Sequence, residues 1–144
     1  MLIAAIIIIA VLGIAILLMV GVIYPDNVAE TALDGGKKNL KTRIYKTDLE
    51  TAEKTVKEII PTLSTYGNNW RLVGETGEAE KGKVIKSEVP VVVFTDDFDV
   101  YLKQNGNEIS IDAKSKSRIG KSDFGENARH INQLLNTLDE KFKE

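Results

Sequence analysis

From Leu2 to Tyr24 the chain reads LIAAIIIIAVLGIAILLMVGVIY, without a charge, a side-chain amide or a proline. As a helix rising about 1.5 Å per residue, this run covers roughly 35 Å, enough to cross a hydrocarbon core of about 30 Å. A buried core helix, a cleavable signal peptide and a membrane anchor are the structures that accept such a run. A signal peptide carries a basic n-region, a shorter apolar core and a small-x-small cleavage site. None is present; the run closes in Val22-Ile-Tyr-Pro25, an interfacial aromatic followed by a helix stop. Residues 1–24 therefore read as a retained single-span transmembrane anchor.

All 40 charged residues, 19 basic and 21 acidic, follow the run, beginning at Asp26. What remains suits one small domain with one core, not two. A net charge of −2 offers no basic face, so no nucleic-acid partner is expected. Cysteine is absent, which excludes disulfides, thiolate metal sites and thiol catalysis. A single histidine argues against a His-based metal centre and a Ser-His-Asp triad. No metal and no cofactor are expected.

Residues 25–39 (PDNVAETALDGGKKN) combine Pro, Gly-Gly and mixed charge without an apolar period, and read as a linker. The folded domain is then expected over 40–144. Leu40–Lys46 alternates as a first strand would. Thr47-Asp-Leu-Glu50 fits a capping box, and the helix behind it aligns Leu49, Ala52, Val56, Ile59, Ile60 and Leu63 until Pro61 ends or kinks it. Tyr66–Asn69 is a turn. Strands follow at Trp70–Thr76, at Lys83–Val89 and from Val91 to Lys103.

Asn105-Gly106 between alternating segments predicts a type I′ hairpin. That turn opposes Lys103 to Glu108, Leu102 to Ile109, Val100 to Ile111 and Phe98 to Ala113. It also opposes Asp99 to Asp112, which calls for a cation nearby, Lys86 or an arginine. The last helix aligns Phe124, Ala128, Ile131, Leu135, Leu138 and Phe142, with Asn127 beside the stripe and Arg129 and His130 on the polar side. The order β-α-β-β-β-β-α is that of an α+β fold, an antiparallel sheet with both helices on one face.

Two sets of residues carry candidate chemistry. Ser115, Ser117, Arg118, Gly120, Lys121, Ser122, Asp123, Gly125, Asn127 and Arg129 bring hydroxyls, cations and a helix N-terminus together, the elements of a phosphate or carboxylate site. The competing reading is a structural corner: Asp123 caps the helix, Arg118 pairs with Asp96 or Asp97, and Asn127 ties the strand end to the helix. Cap and anion need the same backbone donors, which favours the corner. Asp96, Asp97, Asp99 and Asp112 form a second, acidic set. Asp97 and Asp99 share a face while Asp96 points away, and two carboxylates alone make a thin metal site. With no activated nucleophile in view, the chain is not expected to be an enzyme.

Phe94-Thr-Asp-Asp-Phe-Asp-Val100, followed by Lys114–Ile131, resembles the bacterial and plastid family catalogued as domain of unknown function 1499. The family pattern S-x-S-R-x-G-x-x-D-x-G-x-N-x-x-R-I is met at Ser115, Ser117, Arg118, Gly120, Asp123, Gly125 and Asn127. The usual Arg-Ile appears as His130-Ile131, with Arg129 one place earlier, and the upstream Cys-Pro and Asn-Cys-Val-Ser elements are missing. Members are often exported or membrane-anchored, so the resemblance implies a domain in the periplasm or a lumen. Lys37, Lys38, Lys41 and Arg43 after the span favour the opposite side. The expected role is an accessory or interaction domain, a minor subunit or assembly or stability factor of a larger membrane complex. Its partners are lipid and other membrane subunits, reached past Ala4, Ala5, Gly13 and Ala15 on the span. The alternative is a tethered domain holding a small anion or lipid head group through Arg118, Lys121 and Arg129.

Overall fold

The computed structural model describes residues 2–23, 26–78, 82–120 and 122–143. Helix α1, Leu2–Ile23, is apolar on every side, and none of its most apolar stretch is buried against the rest of the chain. It is the one helix among the described residues long and apolar enough to cross a membrane, a property that anchors and signal sequences share. The interfacial tyrosine and helix stop expected at Tyr24 and Pro25 lie outside the described residues.

The main sheet is antiparallel, in the order β1-β8-β7-β6-β5, from β5 (Arg71–Glu78), β6 (Gly82–Val91), β7 (Phe94–Asn105), β8 (Glu108–Ser117) and β1 (Val28–Glu30). A further strand, β2 (Arg43–Tyr45), lies on the same edge of β8 as β1. β1 pairs with Lys114–Lys116 and β2 with Ile109–Ile111, so the two are one edge strand interrupted by residues 31–42. Residues 25–39 are therefore not a free linker. The folded domain begins before Leu40: Ala29 and Leu40 are both buried in the core. Asp112 closes the mouth of the interrupting loop by accepting from the hydroxyls of Thr31 (2.7 Å) and Thr42 (2.5 Å). A three-residue strand has too few alternations to register as a period.

Helix α2 (Leu49–Ile59) is capped by Asp48, not Thr47; the carboxylate accepts from the Thr51 N–H at 2.8 Å and from its hydroxyl at 2.9 Å. A carboxylate at this position also answers the positive end of the helix dipole. The helix closes in a single 3₁₀ turn, Ile60–Thr62, that accommodates Pro61. Strands β3 (Ser64–Thr65) and β4 (Asn68–Asn69) form a miniature hairpin around Tyr66-Gly67.

The β7–β8 register differs by two residues from the expected one. Asn105 pairs with Glu108, Leu102 with Ile111, Val100 with Ala113 and Phe98 with Ser115. The turn residues are Gly106-Asn107, with positive φ at Gly106 (62°) and not at Asn107, the pattern of a type II′ turn. A slip of two leaves every side chain on its own face, so the apolar pattern does not distinguish the alternatives. Cross-strand charge does: Asp99 lies opposite Lys114 and Asp97 opposite Lys116, whereas Asp112 faces Tyr101. The predicted Asp99–Asp112 opposition does not occur.

Both helices cover one face, as the element order predicts. Ala52, Val56 and Ile59 of α2 and Ile131, Leu134, Leu135 and Leu138 of α3 (Glu126–Phe142) pack with Ile85, Val89, Phe98, Val100, Leu102, Ile109 and Ile111 in one core. Two residues depart from the expected stripe. Phe124 precedes the first helical turn, so the helical period does not place it, and it is exposed. His130 is buried, on the stripe that Asn127, Ile131, Leu134 and Leu138 define.

Candidate functional site

At one end of the sheet the apolar inner face turns polar. Ser87, Asp96, Ser115 and Ser117 point inward there and are buried against Asn127 and His130 of α3. Asn127 organises the corner. Its Oδ1 accepts from the Ser115 hydroxyl at 2.5 Å, and its amide donates both hydrogens, to Ser117 Oγ at 3.0 Å and to the backbone oxygen of Asn27 at 2.9 Å. The same Asn27 oxygen accepts from the Ser117 N–H at 2.9 Å, and Asn27 Nδ2 donates to Gly120 O at 2.8 Å. Ser117 also lies directly across the strands from Asp96, its hydroxyl favouring the charged carboxylate. Burial holds the Asp96 carboxyl above the usual carboxylate range; the Ser117 hydroxyl opposes this, and the charges of Asp123, Glu126 and Asp97 reinforce it.

Asp123 closes the start of α3, its two oxygens accepting from the Gly125 N–H (2.8 Å) and the Asn127 N–H (3.1 Å). Gly120 and Gly125 turn the chain at φ of 90° and 80°, and Ser122 Oγ accepts from the Phe124 N–H at 3.4 Å. Arg118 reaches the opposite face of the sheet. It donates to Asp97 at 2.6 and 2.9 Å and to Glu88 at 2.6 Å, and these bonds hold its guanidinium still further into the charged form. Arg129 donates to Glu126 at 2.6 Å and to the Phe124 carbonyl at 3.2 Å. Lys121 lies outside the described residues.

The structure thus gathers Ser115, Ser117, Gly120, Asp123, Gly125 and Asn127 into one corner and sends Arg118 elsewhere. The donors that an anion would use are occupied by Asp123, and both described cations are engaged by carboxylates. The acidic set is dispersed. Asp96 is inside, while Asp97, Asp99 and Asp112 stand on the outer face with Arg118, Lys86 (3.9 Å) and the Thr31 and Thr42 hydroxyls as their respective neighbours. Lys86 is within reach of Asp99 alone.

His130 is the site residue that the sequence pattern misplaced. The imidazole is 1% exposed. Its Nδ1 lies 3.4 Å from Ser115 Oγ and 3.8 Å from Asp96, and its Nε2 lies 3.6 Å from Glu126 with no hydrogen-bond partner among the described residues. Trp70 meets the ring edge-on at 5.6 Å, packs on Phe98 in a tilted pair at 4.9 Å and donates its indole N–H to Thr65 at 2.9 Å. Burial pushes the imidazole pKa down to about 4, against the pull of Glu126, so the ring is neutral at pH 7. The cue was Leu134, four residues on, which belongs to the same helical face. A hydroxyl, an imidazole and two carboxylates adjoin here, but Ser115 is sealed from solvent and donates to Asn127, so no substrate reaches it in this conformation. A surface cleft of about 560 Å³ lies elsewhere, between α2 and α3 at Thr51, Thr55, Thr62 and Thr137.

An antiparallel sheet covered on one face by two helices, locked at one end by a polar corner and preceded by an apolar helix, defines a small α+β domain with an N-terminal hydrophobic leader. The family model described as "Protein of unknown function (DUF1499)" matches residues 23–138, and the chain belongs to that family. The match takes in β1, as the sheet does. No curated protein and no solved structure matches the chain.

Proposed function

We propose that this is a single-span membrane protein whose α+β domain acts as an accessory or interaction module, a minor subunit or assembly factor of a larger membrane complex, and not as an enzyme. The observation that carries this reading is how the family-signature residues spend their hydrogen bonds. Ser117, Gly120 and Asn127 all bond Asn27, four residues past the end of α1. Four residues reach about 14 Å at most. The signature is therefore a clamp that fixes the domain to the place where its anchor leaves the membrane. A domain on a loose tether has no use for such a clamp; one that must present a surface to neighbouring subunits does. Ala4, Ala5, Gly13 and Ala15 let another span approach α1 closely.

The alternative, an anion or head-group site on Arg118, Lys121 and Arg129, has less support because Asp123 occupies the helix donors. We place the domain on the extracytoplasmic side, as the family resemblance implies; a reporter fused at Glu144 and active only in the cytoplasm tests this.

The deciding experiment tags Glu144, solubilises membranes gently and sizes the product. Co-purification of a large assembly, lost when α1 is exchanged for an unrelated span, supports the proposal. A clean monomer rejects the subunit role, and a mature chain lacking α1 rejects the anchor.

A further inference from the structure

The level at which the chain joins the domain is set by the sheet. Along β7 and β8, Val100 pairs with Ala113, Phe98 with Ser115 and Asp96 with Ser117. Val28 pairs with Lys116, and Asn27 O takes the Ser117 N–H, so Asn27 stands in the row of Asp96 and Ser117. One row further, Asp26 O accepts from the Asp123 N–H at 3.3 Å. Beyond that row come Phe94 and the two-residue β6–β7 turn, Val92-Val93, and on the β8 side Ile119. Phe124 follows Asp123, the residue whose N–H reaches Asp26. These five apolar side chains are between 44% and 79% exposed.

Two of them are also held in an unfavourable backbone. Val92 and Phe124 have φ of 51° and 52°, a region that β-branched and bulky residues rarely enter. Two-residue hairpin turns ordinarily place Gly, Asn or Asp at such positions. Asn39 and Tyr66 take positive φ elsewhere, and glycine takes it at the far hairpin (Gly106) and beside this end (Gly120, Gly125). At the apolar end the chain keeps valine and phenylalanine instead. Exposure of this hydrocarbon ends if those side chains leave water, and the free energy gained offsets the backbone strain at the same residues.

We infer that this end of the sheet is a second membrane contact, with Val92, Val93, Phe94, Ile119 and Phe124 seated in the bilayer interface beside the point where α1 emerges. The inference rests on the anchor reading above and extends it, from a domain tied to its span to one held end-on against the lipid. The tether selects lipid as the occupant. Ile23 is only four residues from Asn27, so the end of the span lies within about 14 Å of Asn27. Sheet rows advance about 3.3 Å per residue, which puts Phe94 and Ile119 inside that distance. The contact is apolar, since Arg118 nearby is already neutralised by Asp97 and Glu88. It is therefore insensitive to salt and does not need anionic lipid.

The absence of cysteine makes the test direct. The full chain is reconstituted in phosphatidylcholine nanodiscs as single-cysteine variants carrying a nitroxide at Leu12→Cys, Val93→Cys, Ile119→Cys or Asn107→Cys, the last at the far end of the β7–β8 hairpin. Collision with oxygen is compared with collision with a water-soluble nickel complex. The expected result is an oxygen-to-nickel ratio at 93 and 119 several-fold above that at 107, in the direction of the value at 12 and unchanged in high salt. Labels at 93 and 119 as wet as the label at 107, with 12 in lipid, overturn the docking and leave the anchor standing. A wet label at 12 overturns the anchor reading and the docking with it. A second variant, Val92→Gly with Val93→Asn, gives this turn the Gly-Asn pair of the β7–β8 turn and removes the strained valine. It is expected to keep or raise the urea midpoint of the full chain in detergent while lowering the ratio at 119; an unchanged ratio at 119 counts against the contact.

Discussion

Glutamine in place of His130 keeps a polar side chain in the corner but removes the group that takes up a proton. The imidazole faces Ser115 from β8, Asp96 from β7, Glu126 from its own helix and Trp70 from the segment before β5, with Asp123 and Arg129 acting at longer range. Burial, the largest influence, pushes its pKa from 6.5 to about 4 in the folded chain. Between those values the unfolded chain binds the proton and the folded chain does not, so stability falls as the pH is lowered. The contribution is whole above about pH 6.5 and is lost progressively toward pH 4. A gap of about 2.5 pH units, at ~1.4 kcal/mol each, amounts to about 3 kcal/mol. That is a large share of the ~5–15 kcal/mol that holds a domain together. Asp96 works in the opposite sense: its raised carboxyl takes a proton in the folded state first, so acid relieves it. The informative quantity is therefore the difference between wild type and His130→Gln. Urea unfolding of the full chain in mild detergent, at several pH values, is followed by the fluorescence of Trp70, the single tryptophan, buried beside this ring. Between pH 7.5 and 4.5 the wild type is expected to lose about 2 to 3 kcal/mol more than the variant. Parallel pH slopes in the two proteins would refute the reasoning.

Asn127→Ala removes three hydrogen bonds from the corner and takes away the acceptor of the buried Ser115 hydroxyl, while the Asn27 oxygen keeps the Ser117 N–H; at ~1 kcal/mol per bond it is expected to cost about 3 kcal/mol, read from the urea midpoint. Gly82→Ala sets a Cβ on the carbonyl oxygen of Leu102 at a φ of 85°. Loss of the folded state, or of at least ~3 kcal/mol, is expected there, whereas Gly106→Ala, strained but in open space, costs about 1 kcal/mol; thermal melts separate the two. Arg118→Ala, despite its place in the family signature, is expected to cost less than about 1 kcal/mol, with the loss vanishing in high salt, because its side chain is 43% exposed. A large, salt-independent loss on denaturant titration contradicts that assignment.

The apolar helix α1, α2 and the strands β6 to β8 are legible in the sequence because each repeats its period long enough to stand above chance, and each buries or exposes a face as a unit. The cap at Asp123 is legible too, since a carboxylate two residues from the N–H it accepts is local chemistry. The β7–β8 register is not. A slip of two conserves the inward face, and only Asp99–Lys114 and Asp97–Lys116, paired across strands, separate the alternatives. His130 escaped for a related reason: one polar residue on a helical wheel is assigned by its own character, whereas its burial is decided by Leu134 beside it and by Trp70, brought in from sixty residues away. Asn27 carries no pattern at all. Its importance arises because β1 pairs with the end of β8, some ninety residues later, and brings its carbonyl oxygen to Asn127. The sequence by itself determined the longer elements, most of their inward faces and the residues of the signature. The tertiary structure decided which end of the sheet the chain enters, what the signature clamps and which apolar residues are left outside, because those depend on pairings between strands far apart in the chain, which no local period encodes.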